Sequence, residues 1–214
     1  MSWLPLYNAW IVCLGIVSVF LWKLWGIIFL VVFLFLSLLY LLKESLNNAL
    51  HYVYAFWLFI MTEVLIFGSL FVAIFWSESC SSEPISGFLE LPFLGCFLLI
   101  GSSLSVTAYH YGIGLGNNSL FLLLTILLGL CFVVLQIFEM YDCECDWVYS
   151  VYYAACFSTV GLHFLHVVLG LLGLVVIFIF GDVNLNTFYN DVIVWYWHFV
   201  DYIWLLVYLV VYLS

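Results

Sequence analysis

Arginine is absent from this chain, and lysine occurs only at Lys23 and Lys43. Two cations against 12 acids leave no basic surface for phosphate, which excludes nucleic acid as a partner. Charge of either sign is scarce, at 7% of residues, whereas 69% are hydrophobic. A water-soluble domain of 214 residues would need more polar surface than that. Proline is confined to Pro5, Pro84 and Pro92, and no repeat, low-complexity tract or polar domain interrupts the chain. The seven cysteines show no CxxC spacing, so neither a zinc ribbon nor a disulfide framework is indicated. Cys13, Cys96, Cys131 and Cys156 lie in apolar runs and read as small lipid-facing or core-facing residues. Met1 leads almost directly into apolar sequence without a basic segment, which argues against a signal peptide.

What is present is a succession of apolar runs, each near the roughly 20 residues needed to cross a bilayer. The pattern predicts an all-α polytopic membrane protein of one domain, residues 1–214, with seven spans. These are Leu4–Trp22, Leu24–Leu42, Val53–Trp76, Leu91–Tyr111, Ser119–Met140, Val148–Phe180 and Val192–Leu213. The run from Leu4 to Leu42 is too long for one helix, so a tight hairpin is expected at Trp22-Lys23-Leu24-Trp25-Gly26, where tryptophans flank a charge. The sixth run is long enough to require tilt or extension beyond the lipid. Seven spans put the termini on opposite faces. With the N-terminus on face A, Lys43-Glu44, the 112–118 turn and the 181–191 loop share that face. Face B collects Lys23 and the acids Glu78, Glu83, Glu90, Asp142, Glu144 and Asp146. The lysines fall on opposite faces, so the positive-inside rule does not orient the chain. Asn117-Asn118-Ser119 matches a glycosylation sequon but sits in a short turn against a helix, which argues against its use.

Ionisable residues inside apolar spans are the candidates for function, because lipid tolerates them only where they face a partner or a wet cavity. Glu63 lies near the middle of the third run. It reads either as a packed, protonated acid or as a proton-linked or lipid-pocket carboxylate. With no arginine to pair with, it is expected to be neutral. His198 and Asp201 are three residues apart within the last run, on one helical face, and are expected to pair with each other. His163 and His166 belong to a stripe with Thr159, Gly170 and Gly173 on the sixth run. Small and polar residues of this kind let membrane helices approach and bond. The stripe reads as an interhelical packing face, with a haem or metal site using His163, His166 and His198 as the sharper alternative. His51 and His110 lie near the face A ends of their runs. Cys143-Glu-Cys145 reads as loop thiols or as a weak soft-metal signal, and the sequence leaves the redox state of Cys80, Cys143 and Cys145 open.

These motifs together resemble one family. Trp195-Tyr-Trp-His-Phe-Val-Asp201 followed by Trp204 is similar to the C-terminal signature of cytochrome c oxidase subunit III. Gly161-Leu-His163-Phe-Leu-His166-Val-Val-Leu-Gly170 resembles that family's glycine-histidine helix, and Leu135-Gln136-x-x-Glu139-x-Tyr141 resembles the end of its fifth. Leu89-Glu90-Leu-Pro92 and Ser105-Val-Thr107-x-x-His110 resemble its fourth. Glu63, after Leu58-Phe-Ile-Met-Thr, stands where the family carries a carbodiimide-reactive carboxylate. The resemblance runs from about Phe56 to Leu213. Before His51 only hydropathy matches, and the arginines with which the family holds lipid phosphates have no counterpart here.

The resemblance implies two N-terminal helices splayed from a five-helix bundle, with phospholipid in the cleft between them. It implies a non-catalytic core subunit with no redox centre of its own, haem and copper being held by partner subunits. The expected partners are the catalytic subunit I, other oxidase subunits and membrane phospholipids. The implied place is the mitochondrial inner membrane, with the N-terminus in the matrix and the C-terminus in the intermembrane space. Glu63 would be the lipid-cleft or proton-linked carboxylate, His198 and Asp201 a structural pair, and His110, Glu139, His163 and His166 interhelical or lipid contacts. Subunit III of a quinol oxidase shares the fold, and the electron donor is not readable from this chain. A b-type haem oxidoreductase and a secondary transporter coupled through Glu63 and Asp201 are the readings from other classes. The transporter would be expected to show internal repeats and broken helices, which the sequence lacks.

Overall fold

The computed structural model describes residues 3–46, 52–78, 85–87, 89–113, 119–143, 145, 148–181 and 187–213. Among these there are seven helices and no strand: α1 (Leu4–Phe20), α2 (Leu24–Leu46), α3 (Val53–Ser77), α4 (Leu91–Tyr111), α5 (Ser119–Asp142), α6 (Val151–Phe180) and α7 (Thr187–Tyr212). Six are long and apolar enough to cross a membrane, and α1, at 17 residues, is shorter. The chain is a multi-pass all-α membrane protein.

The helices fall into two compact units, Met1–Tyr52 and Val53–Ser214. In the first, α1 and α2 pack as the expected hairpin. The Leu21, Trp22 and Lys23 amides donate to the Val17, Val19 and Ser18 carbonyls, which stops α1. Trp22 takes φ +52°, a left-handed conformation unusual for a bulky residue, and this reverses the chain within one turn. Gly26 lies against Ser18 and Gly15 against Leu30, so a side chain at either position would force its neighbour on the other helix to move.

In the second unit α4 packs on α5 and α7, and α6 packs on α3, α5 and α7. The core lies along α6 and α7. Trp197 and Trp204 of α7 are fully buried, as are Phe132 of α5 and His163 of α6. Trp197 fits between α5 and α6 because Gly129 and Gly170 face it. A Cβ at Gly129 would come 2.8 Å from the indole, and one at Gly170 equally close.

Several ends differ from those read off hydropathy. α6 begins at Val151, because Ser150 caps it by accepting from the Tyr153 amide, rather than at Val148. α7 begins at Thr187, five residues before the expected Val192, and so takes buried Asn190 and paired Asp191 into the helix. α2 and α5 run past Leu42 and Met140 to Leu46 and Asp142. Hydropathy marks where lipid stops, whereas backbone hydrogen bonding continues into the polar interface.

Candidate functional site

The mid-span ionisable residues are held by bonds between helices. On α3, Glu63 meets His166 of α6, with Oε2 3.0 Å from Nε2 and both side chains largely buried. His166 Nδ1 lies 2.7 Å from the Leu162 carbonyl, which only accepts, so Nδ1 carries a hydrogen. Two states then fit the short contact. A protonated Glu63 donates to a neutral His166, or an imidazolium donates to the carboxylate. Both have zero net charge and differ by one proton moved between the partners. The lack of arginine thus does not leave Glu63 without a basic neighbour, because it meets a histidine 103 positions away.

A second polar line runs along α4 and α7. At the end that carries the α4 C-terminus, His110 Nε2 and Asp191 Oδ1 are 2.9 Å apart and partly exposed. Two turns further in along α7, His198 Nδ1 lies 2.9 Å from Ser103 Oγ, and its Nε2 lies 3.4 Å from Thr107 Oγ1. Deeper still, Asp201 is 4% exposed, and among the described residues neither carboxyl oxygen has a hydrogen-bond partner. The Ser103 and Ser102 hydroxyls lie beside it, outside bonding geometry. The direct His198–Asp201 pair expected from sequence is thus not formed. His198 turns to α4, and Ser103 stands between the two groups. Ser102 is committed elsewhere, donating to the Leu99 carbonyl at 2.7 Å and accepting from Trp197 Nε1 at 3.0 Å.

His163, fully buried, donates from Nε2 to the Val200 carbonyl across 3.1 Å and packs against Trp204 and Phe132. Near the C-terminal end of α5, Glu139 is 2% exposed and accepts from Ser86 Oγ at 3.0 Å and from Gln136 Nε2 at 2.8 Å. Tyr212 of α7 lies beside it. Cys143 donates to the Ile85 carbonyl over 3.6 Å, which with the Ser86 bond ties the end of α5 to the segment that precedes α4. Cys13 and Cys131 are exposed on apolar helices while Cys96 and Cys156 are buried, in keeping with their reading as lipid-facing and core-facing residues. An open apolar groove of about 580 Å³ follows α5 from Leu127 to Phe138, with Asp142 at its end.

His110, His163, His166 and His198 each join two helices, and no group of three or more metal-ligating side chains occurs among the described residues. His51, Cys80, Glu83, Asn117, Asn118, Glu144 and Asp146 lie outside the described residues. Ser103, Thr107, Asp191 and Asn190 were not singled out by the sequence as site residues. A dense run of hydroxyls on α4 (Ser102, Ser103, Ser105 and Thr107) was the available signal.

Comparison with known proteins agrees with this picture. The family model described as Cytochrome c oxidase subunit III matches residues 43–214. Proteins named cytochrome c oxidase subunit 3 are similar to this chain over 177 aligned residues, at 34% identity in Loxodonta africana and 32% in Rattus norvegicus. Each alignment covers 74% of this chain and 68% of the relative.

Proposed function

Because the chain belongs to the cytochrome c oxidase subunit III family, we propose that it is a supporting core subunit of the respiratory oxidase in the mitochondrial inner membrane. It forms one membrane domain over residues 1–214, packs beside the catalytic subunit and the other oxidase subunits, and carries no redox centre. Haem and copper belong to its partners, as does electron transfer from cytochrome c to oxygen coupled to proton pumping. The N-terminus faces the matrix and the C-terminus the intermembrane space.

The observation that carries this reading is the use of the histidines. Both nitrogens of His166 and of His198 are engaged by protein atoms, and His163 is consumed by a backbone carbonyl of α7. Their positions bind helix to helix, which suits a scaffold and disfavours a haem bundle. Lipid is held without arginine. The groove along α5 suits an acyl chain, and Asp142 at its end favours a head group bearing an ammonium.

The test is co-purification in mild detergent through a tag on this chain. The expected result is a complex with haem and copper absorbance that turns over with reduced cytochrome c. Migration alone, or a Soret band that stays with the isolated chain, defeats the reading. Turnover with quinol in place of cytochrome c moves it to the quinol oxidase branch.

A further inference from the structure

We infer that α4 and α7 form a proton half-channel leading from the face that carries the α4 C-terminus to the buried carboxyl of Asp201. Two independent observations support this. One is the ordered column of exchangeable groups on facing helices: His110 with Asp191, then Thr107 with His198, then Ser103. The other is Asp201 itself, buried and unpartnered among the described residues at the inner end of that column. Asp191 and Asp201 are ten residues apart on one helix, which spans roughly 15 Å along its axis. The column therefore reaches from the partly exposed end of the seam to mid-bilayer.

The hydrogen positions follow from the acceptors. Thr107 Oγ1 donates to the Ser103 carbonyl at 2.8 Å, so towards His198 it can only accept. His198 Nε2 then carries a hydrogen, and in the neutral ring Nδ1 accepts from the Ser103 hydroxyl. Ser103 keeps a lone pair, which can accept from a protonated Asp201 after a small rotation. One proton moves as Asp201 gives to Ser103 while Ser103 gives to His198 Nδ1. The products are a carboxylate and an imidazolium, with Ser103 again a hydroxyl. The imidazolium releases its Nε2 proton to water beside His110 and Asp191, and the reverse sequence reloads Asp201. No bond to carbon forms or breaks, and no oxidant is required.

The other elements packed on this seam bring few competing groups. From α6 the facing titratable side chain is His163, bonded at Val200 next to Asp201. From α5, Thr125 bonds Ser105 at 2.8 Å and carries no charge. On α7 itself Tyr202 stacks on His198. From α3, Glu63 is engaged by His166.

The test follows hydrogen–deuterium exchange of a single carboxylic acid by infrared spectroscopy. The sample is the full chain with the subunits that accompany it in mild detergent. Asp201→Asn should remove one carboxylic C=O band, and that band should shift in heavy water in the unaltered protein. Ser103→Ala and His198→Phe should slow the shift by about 10²-fold, the scale of a positioned proton-transfer group. Ser103→Thr, which keeps the hydroxyl, should restore the rate. Glu139→Gln, at the opposite end, should leave it unchanged. If Asp201→Asn does not assemble, Ser103→Ala must change the frequency of the band, because the neighbouring hydroxyl is gone. Equal exchange rates in Ser103→Ala and the unaltered protein overturn the inference. So does a Ser103→Thr variant as slow as the alanine, or the lack of any band that depends on Asp201 or Ser103.

Discussion

Glu63 and His166 show what a bilayer does to a pair of titratable side chains. Each alone would be an expensive residue in hydrocarbon, and together they have no net charge in either proton arrangement. Replacing Glu63 by Gln keeps a donor for His166 Nε2, so assembly with the partner subunits should survive. Glu63→Leu leaves that nitrogen without a partner and should destabilise the α3–α6 contact by about 0.6 kcal/mol, with about 1.7 as the upper end for membrane hydrogen bonds. Thermal denaturation of the purified complex would show the ordering, Gln close to the native protein and Leu below it. A hydrophobic carbodiimide should label Glu63, since the carboxyl is protonated in one of the two states. His166→Phe removes the competing base and should raise that labelling. Modification mapping to other carboxyls, or labelling unchanged in His166→Phe, would separate the reactivity of Glu63 from its pairing.

At the scale of the helices, existence and order were legible in the sequence, because a 20-residue apolar run has few other fates in a chain this poor in charge. The hairpin between α1 and α2 was legible from one lysine among tryptophans. Helix ends were not, since Asn190, Asp191 and Asp142 are polar yet helical. The depth of Glu63, His198 and Asp201 was legible as well, but their partners were not. Whether His198 turns to Asp201 or to Ser103 depends on which face of α4 meets α7, and spacing along one helix carries no information about its neighbour. The close approach of α5 and α6 to Trp197 gives a prediction of this scale. Gly129→Ala and Gly170→Ala would each place a Cβ 2.8 Å from the indole and, as overpacking, should destabilise the unit by about 1–3 kcal/mol. Gly161→Ala meets nothing within 4 Å and should be neutral or slightly stabilising. The three variants, compared by unfolding in a detergent series, should fall in that order. A Gly161→Ala as damaging as the other two would mean that helix flexibility, and not the Trp197 contact, sets the cost.

Over the whole molecule the charge is lopsided, with a formal net charge of −10 and both cations in the N-terminal unit. Glu78, Glu90 and Asp142 are exposed at the ends of α3, α4 and α5. Leu91 and Asp142 line the same groove, so Glu90 and Asp142 share one rim. A rim of one sign acts at a distance, because the field of many acids adds while each hydrogen bond does not. If the complex proposed above receives its electrons from a basic carrier, such a rim would speed the encounter at a distance. The reach of this effect is set by salt, about 30 Å at 0.01 M ionic strength and about 8 Å at physiological strength. Converting Asp142, Glu144 and Asp146 together to amides should therefore slow carrier association at low salt and have little effect at high salt. Turnover at saturating carrier should stay constant, since no group of the electron path is changed. Stopped-flow association rates across a salt series read this directly. A mutant line that runs parallel to the native one at every ionic strength would leave these acids as solvated loop residues with no part in the encounter.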